Sequence, residues 1–423
     1  MTVARGAPLG PVTDDQPVLS KRDLGAITRT ACFNAAAAAA AALGAVIIAR
    51  TVGPAVRGEY AAIIAWFNAL LLFGELGQSA AVCFHVASDP RRGPGYVATS
   101  RAMMMASGLC ALASGLVVAP VLAHGDPGLS AAYRIIFGGS VIAFIGASYT
   151  YALQPASMPR WNLVRVSQPA LALAIVIGLR LARLLTLDTA IGALLVSLAF
   201  QLGYAYYWCR RCGLVPGRVQ SRLIGPLTRT GLAQLGAITP SAINSCLDQL
   251  VLSQLVPSAD LGRYAIAVSV TMVPVPLVSA IGNVAFPRLA ARRDGAAGRG
   301  QVPLVATAAG AAIASAILVP LAVSASWLIP AVFGSCYRGA VPLLWVLTPG
   351  GIFLACGQVA GDLLRGLGRP GLVATAQGST AVGAVIALVA LLPVAGVEAA
   401  AIASTIGYGT ALILMLRWLR RLG

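Results

Sequence analysis

Two carboxylates lie inside long apolar stretches of this sequence. Glu75 belongs to an apolar run over residues 60 to 84, and Asp248 belongs to another over residues 232 to 255. An ionised side chain within a bilayer costs about 3 kcal/mol on insertion scales, so such residues usually face an interior pathway where they bind ions or polar ligands. The alternative is a carboxyl group that only hydrogen-bonds to neighbouring helices. We treat both residues as candidate binding groups and leave that alternative open.

Further polar side chains follow the same helical faces as the two carboxylates. Gln234, Ser241 and Asp248 are spaced seven residues apart, with Asn244 beside them. Positions seven apart lie close to one face of a helix, and a polar face is turned toward water or protein rather than lipid. The pattern predicts a polar cleft between helices. The predicted cleft residues are Asn34, Asn68, Glu75, Gln78, Gln234, Ser241, Asn244 and Asp248.

Two arginines at the ends of apolar runs are candidates for binding a phosphate head group. Arg29 precedes the run over 30 to 49, and Arg229 precedes the run that holds Asp248. A guanidinium binds phosphate through paired donors. Arginines at such positions also simply extend to the membrane surface, so both interpretations stay open.

Catalytic and metal-binding constellations are not predicted. His85 and His124 are the only histidines, and neither lies near a plausible nucleophile. Cys209 and Cys212 have the spacing of a zinc or redox pair but lack a second pair, so two incidental thiols at a helix end are the favoured interpretation. The sequence also has no phosphate-binding loop for ATP. We therefore expect no enzyme activity, no metal and no cofactor.

The elements that carry these residues follow from composition. Of 423 residues, 58% are hydrophobic and 10% are charged, whereas about a quarter of a typical soluble domain is charged. This composition predicts an integral membrane protein. The net charge of +17 does not indicate nucleic acid binding, because the basic residues are spread over many short loops instead of one patch.

Twelve apolar runs are long enough to cross a bilayer, which needs about 20 residues per helix. They lie near 30 to 49, 60 to 84, 102 to 122, 132 to 153, 163 to 179, 189 to 208, 232 to 255, 264 to 286, 302 to 323, 341 to 361, 371 to 392 and 396 to 416. With both termini cytoplasmic, 23 of the 30 basic residues fall on the inside, as the positive-inside rule requires. We expect a multi-pass protein of the cell inner (plasma) membrane.

An internal repeat divides the chain. A Gly-x-Tyr sequence at 58–60 recurs at 262–264, and a Tyr-Arg pair at 133–134 recurs at 337–338, each 204 residues further on. A shared offset predicts two homologous six-helix lobes related by a pseudo-two-fold axis, with spans one and two facing spans seven and eight. The predicted divisions are a cytoplasmic polar tail over 1–25, an N-terminal lobe over 26–215 and a C-terminal lobe over 216–423.

Several short motifs occur in order after residue 25, at 49–54, 75–77, 248–252, 261–264, 286–289 and 333–337. Together they resemble the multidrug/oligosaccharidyl-lipid/polysaccharide (MOP) flippase superfamily, specifically its Wzx-like polysaccharide exporters. The resemblance implies a V-shaped, MATE-like bundle that moves a polyprenyl-diphosphate-linked oligosaccharide to the outer leaflet by alternating access, for cell-surface polysaccharide biosynthesis. It also implies cavity arginines that hold the diphosphate. Here arginine is expected only at span ends, which predicts a diphosphate contact nearer the mouth of the cleft.

Two other functions are weighed against this one. A cation-coupled drug or metabolite antiporter of the same fold would use Glu75 and Asp248 for coupling. A membrane glycan polymerase or ligase is less favoured, because no predicted outer loop is long enough to carry a separate active site. The expected partners are the lipid-linked oligosaccharide, membrane lipids and glycan assembly proteins, with no nucleic acid, and the expected state is a monomer.

Overall fold

The computed structural model describes residues 21–279, 302–367 and 369–422, except for the side chains of 21–27, 236–246, 302–304, 366, 370 and 422. Its described part consists of helices and their connections, because a chain in a bilayer must satisfy its backbone groups internally. The first half contains α1 (Lys21–Gly74), α2 (Gln78–Ser88), α3 (Gly93–Leu122), α4 (Pro127–Ala156), α5 (Met158–Leu181) and α6 (Leu187–Arg211). The second half contains α7 (Ile224–Leu255), α8 (Ser258–Thr271), α9 (Val302–Val323), α10 (Ala325–Phe333), α11 (Ala340–Gly366), α12 (Pro370–Ala395) and α13 (Glu398–Leu422).

Helix α1 contains two spans separated by a backbone break. Its 54 residues would extend for about 80 Å as one straight helix, more than twice the thickness of a bilayer core. Gly53 interrupts the helix with φ 78° and ψ 175°, and Pro54 follows it. The break therefore produces the first and second predicted spans from what is otherwise continuous helix.

A second backbone break follows the C-terminal end of the second span. Leu76 and Gly77 have positive φ angles of 51° and 67°, and α2 begins at the next residue. Glycine adopts this left-handed conformation without strain, whereas Leu76 must be held in it by its surroundings. The segment 54–74 is thus bounded by a backbone break at each end.

Ten helices among the described residues are long and apolar enough to cross a membrane. That count takes α1 as one helix and does not include α7, which is 32 residues long. Dividing α1 at Gly53 and adding α7 accounts for all twelve predicted spans. The chain is therefore a multi-pass membrane protein.

Each half of the chain packs largely within itself. In the first half, α4 contacts α3 and α6, and α1 contacts α5. In the second half, α11 packs on α9 and α13, and α12 packs on α13. Between the halves, α1 contacts α7 and α8, and α2 contacts α7. This is the predicted facing of spans one and two against spans seven and eight.

The connection between the halves is attached to the first half. The backbone N–H of Gln220 donates to Thr99 Oγ at 3.0 Å, and a side chain on Gly217 would overlap the carbonyl of Pro94. Leu223 and Leu227 are buried in the core of the first half. The start of α7 is therefore held by the first half, and the division at 215/216 stays a prediction.

Candidate functional site

The two repeated glycines meet where the halves of the chain pack together. A Cβ atom on Gly58 would overlap the carbonyl oxygen of Ser258 and lie 2.9 Å from the backbone nitrogen of Gly262. In the reverse direction, a Cβ atom on Gly262 would overlap the carbonyl oxygen of Pro54. Only glycine permits this approach of backbone to backbone at either position. We call this side of the bundle the turn end.

Hydrogen bonds also join the two halves near the turn end. Arg50 Nη2 donates to the carbonyl of Ala331 at 2.8 Å, and Tyr337 Oη donates to the carbonyl of Ala49 at 3.1 Å. Trp66 Nε1 also donates to Ser253 Oγ at 2.9 Å. The halves are therefore closed against each other at the turn end.

The opposite side, which we call the linker end, has its own contacts between α2 and α7. Gln78 is 1% exposed, and its Nε2 lies 3.5 Å from the carbonyl of Leu227. A ring nitrogen of His85 is 3.1 Å from Thr230 Oγ. Gly77 faces Gly231 so closely that a Cβ atom would overlap the Gly231 carbonyl. The beginning of α7 is thus tied to α2.

A cavity of about 500 Å³ lies beside the break between α1 and α2. It takes its walls from the end of α1, from α2, from α4 and from the early part of α7, so elements of both halves of the chain enclose it. Its polar lining residues are Glu75, Ser79, Cys83, Tyr151, Gln154 and Gln234. This volume and mixture of apolar walls with a few polar groups are typical of sites for small ligands or head groups.

Glu75 has a structural contact as well as a place in the cavity. Its Oε1 accepts a hydrogen bond from the backbone N–H of Ser79 at 2.9 Å, which satisfies one of the free donors at the start of α2. A carboxylate has two acceptor oxygens. Because the cap uses Oε1, the carboxylate of Glu75 can also accept a hydrogen bond from a ligand.

Arg165 is an interior arginine that sequence analysis did not place in the site. Helix α5 begins at Met158, so Arg165 lies about two turns inside it, half-buried. Its Nη1 donates to Asn34 Oδ1 at 3.0 Å, and its guanidinium lies 4.4 Å from the centre of the Trp161 ring. Arg165 does not itself line the cavity beside Glu75, but its helix α5 packs on α4, which carries the cavity residue Tyr151. The structure thus places Arg165 further inside its helix than the apolar run from residue 163 predicts.

Asp248 occupies a different place, within the second half of the chain. It is 7% exposed and accepts hydrogen bonds from the backbone N–H of Gln249 at 2.8 Å and from Ser404 Oγ at 3.3 Å. Tyr264 Oη donates to the same carboxylate. These bonds join α7 to α8 and α13, and Asp248 does not line the cavity beside Glu75.

Residues 27–291 match the model of a family described as polysaccharide biosynthesis protein. The match spans more than half of the chain. The chain belongs to this polysaccharide biosynthesis protein family. No curated protein sequence matches it.

Solved structures show which fold this polysaccharide biosynthesis protein has. The lipid II flippase MurJ in an inward closed conformation superimposes with a TM-score of 0.77 at 13% identity, covering 92% of this chain and 87% of that one. An inward-facing multidrug resistance MATE transporter superimposes with a TM-score of 0.75 at 15% identity, covering 91% of this chain and 94% of that one. A MOP superfamily transporter from Pyrococcus furiosus superimposes with a TM-score of 0.68 at 16% identity, covering 94% of this chain and 95% of that one. The predicted MOP fold is confirmed.

The other predicted cleft residues of this polysaccharide biosynthesis protein lie in several environments. Gln234 is exposed and lines the cavity, whereas Asn68 is exposed and Asn34 binds Arg165. Arg29 and Arg229 are exposed and do not line the cavity. The side chains of Ser241 and Asn244 lie outside the described residues. The cavity thus brings together Glu75 and Gln234, and the remaining assignments stay predictions.

The contacts of Asp248 predict a mainly structural effect of its replacement. We expect Asp248→Ala to lower stability by about 1–2 kcal/mol, because it leaves the buried hydroxyls of Tyr264 and Ser404 without their acceptor. Asp248→Asn keeps one acceptor oxygen and should lose less. Thermal unfolding of the purified variants in detergent measures this difference. Wild-type stability of Asp248→Ala together with lost transport would instead assign Asp248 to function.

Proposed function

We propose that this protein is a flippase that moves a polyprenyl-diphosphate-linked oligosaccharide from the cytoplasmic to the outer leaflet. The observation that carries the proposal is a cavity with several polar lining residues that takes its walls from both halves of the chain, while those halves are closed at the turn end. A cavity of this kind suits a ligand that is carried across the membrane. Membership of the polysaccharide biosynthesis protein family and the MOP fold support a glycan-bearing substrate.

The diphosphate would bind near Arg165. A guanidinium carries five N–H donors, and its described hydrogen bond to Asn34 uses one nitrogen. The remaining donors suit paired bonds to phosphate oxygens. The amides of Gln154 and Gln234 would bind sugar hydroxyls, and the polyprenyl chain would stay in the lipid beside the bundle.

Movement of the halves would then change the side from which the cavity is reached. The turn end is held by backbone packing at Gly58 and Gly262 and by a few hydrogen bonds, each worth about 0.5–1.5 kcal/mol net. A ligand can shift an equilibrium of this size by binding one state more tightly. Backbone breaks at Gly53 and Gly77 bound the segment between them and would serve as hinges. In this proposal the turn end faces outward and both termini are cytoplasmic.

A cation-coupled drug or metabolite antiporter is the second candidate, because the carboxylate of Glu75 lines the cavity. Reconstitution in liposomes separates the two functions. A flippase is expected to expose a fluorescent polyprenyl-diphosphate glycan to the outer leaflet without requiring a drug gradient. Cation-driven drug uptake by the same liposomes, without glycan exposure, would replace the flippase proposal by the antiporter.

The variant Glu75→Gln distinguishes the flippase from the cation-coupled antiporter in a second way. The glutamine Oε1 still accepts from Ser79, so a flippase in which Glu75 caps α2 and accepts from sugar hydroxyls should keep at least about half of its transport rate. Glu75→Ala removes the cap, at a cost of about 0.5–2 kcal/mol, and should transport less. The rate of glycan exposure in liposomes measures both. Abolished transport in Glu75→Gln with normal folding would indicate a titrating group that couples an ion.

A further inference from the structure

A second cavity, of about 350 Å³, lies between α1 and α5 and is separate from the cavity beside Glu75. It lies toward the turn end, because Arg50 lines it and also bonds to Ala331 across the halves. We call it the arginine cavity. Its lining residues are Ile47, Arg50, Ile177, Arg180 and Leu181.

Two exposed arginines line this cavity, and neither has an anionic partner among the described residues. The ion pairs of the described residues involve Arg92, Arg263 and Arg365, so neither Arg50 nor Arg180 lies within 4.0 Å of a described carboxylate. Each arginine ends a helical segment, where the helix dipole favours one positive charge. The dipole does not account for two like charges in one cavity, since they repel each other. An anion would relieve this repulsion.

The remaining wall of the arginine cavity is apolar and open to the surroundings. Ile177 and Leu181 are exposed, Leu181 by 80%, and they belong to a span-length helix. Exposed apolar side chains on a spanning helix contact lipid. Arginine beside such a surface at a helix end lies at the depth of lipid head groups. The cavity therefore presents paired phosphate donors next to a surface for acyl chains.

We propose that the arginine cavity binds the phosphate of an anionic membrane phospholipid. Arg50 and Arg180 donate to the phosphate oxygens, and the apolar wall contacts the beginning of an acyl chain. Arg50 Nη2 also donates to Ala331, so the bound lipid lies directly beside a contact that closes the turn end. This site does not depend on the glycan substrate, and its test contains none.

The test uses full-length protein in phosphatidylcholine nanodiscs with increasing fractions of phosphatidylglycerol. Phosphatidylglycerol is expected to raise the melting temperature in a saturable way. Arg50→Gln and Arg180→Gln should each weaken the apparent affinity about tenfold, because each removes a charged hydrogen-bond donor. Native mass spectrometry of the same samples should show fewer retained phosphatidylglycerol molecules for both variants.

Arg134→Gln is the matched control, because Arg134 is an exposed arginine of α4 that does not line the cavity. It should respond to phosphatidylglycerol like the wild type. An equal loss in Arg134→Gln would overturn the proposal in favour of general charge attraction. Equal stabilisation by inorganic phosphate in phosphatidylcholine nanodiscs would show that the cavity takes free phosphate and would overturn the lipid assignment. Wild-type affinity in both cavity variants would also refute it.

Discussion

Gly262→Ala is expected to abolish most transport while the protein still folds and inserts. The added Cβ atom would overlap the backbone of Pro54, which cannot move away as a flexible side chain could. Overpacking of this kind costs about 1–3 kcal/mol, which corresponds to about a 5- to 150-fold shift away from the state closed at the turn end. Gly58→Ala should act in the same way from the other half, because its Cβ atom would overlap Ser258.

Distances across the turn end would measure this shift directly. Spin labels at positions 134 and 338, both exposed, report on the two halves in a cysteine-free background. Both glycine variants should lengthen the distance that dominates in the wild type. Gly192→Ala is the control, because no atom lies within 4 Å of its added Cβ. Wild-type distances and transport rates in Gly58→Ala and Gly262→Ala would show that closure at these glycines is not part of transport.

Arg165→Ala is expected to weaken apparent substrate affinity by about 10- to 100-fold. A hydrogen bond to a charged group contributes about 1.5–3 kcal/mol, and every 1.4 kcal/mol is a factor of ten. Arg165→Lys keeps the charge but not the paired donors, so it should lie between alanine and wild type. The dependence of the transport rate on lipid-linked glycan concentration in liposomes measures these affinities.

Two control variants distinguish substrate binding by the Arg165 guanidinium from the effect of its hydrogen bond to Asn34 and from a general loss of positive charge. Asn34→Ala removes the partner of Arg165 but leaves the guanidinium, so its loss of affinity should be smaller than that of Arg165→Ala. Arg134→Ala changes an exposed arginine of α4 that does not line the cavity and should have little effect. Equal affinities for Arg165→Ala and the wild type would remove Arg165 from the binding site.

The arrangement of spans could be predicted because it depends on apolar length and on the repeat. Gly58 and Gly262 share a sequence context, and in the structure they contact each other between the halves. The repeat also predicted that spans one and two oppose spans seven and eight, and α1 packs against α7 and α8. These features are encoded by local sequence and by the 204-residue offset, so no knowledge of long-range contacts was needed.

The surroundings of the site residues depend on long-range contacts, which the periodicity of the sequence does not reveal. The spacing of polar residues predicted the helix face that holds Asp248. The hydrogen-bond partners of Asp248, Tyr264 and Ser404, are 16 and 156 residues away in sequence. The apolar run that starts at residue 163 predicts Arg165 at a span end, whereas α5 begins with Met158 and Pro159. Proline in the first turn of a helix was the available signal. It would have placed Arg165 inside the helix.

The central claim is transport of a lipid-linked glycan, and lipid analysis of cells lacking this protein tests it most directly. Deletion is expected to cause polyprenyl-diphosphate-linked oligosaccharide to accumulate on the cytoplasmic side and surface polysaccharide to fall. Wild-type protein should reverse both changes, and Arg165→Ala at equal abundance should not. Unchanged surface polysaccharide with no accumulation of the lipid-linked glycan would contradict the account.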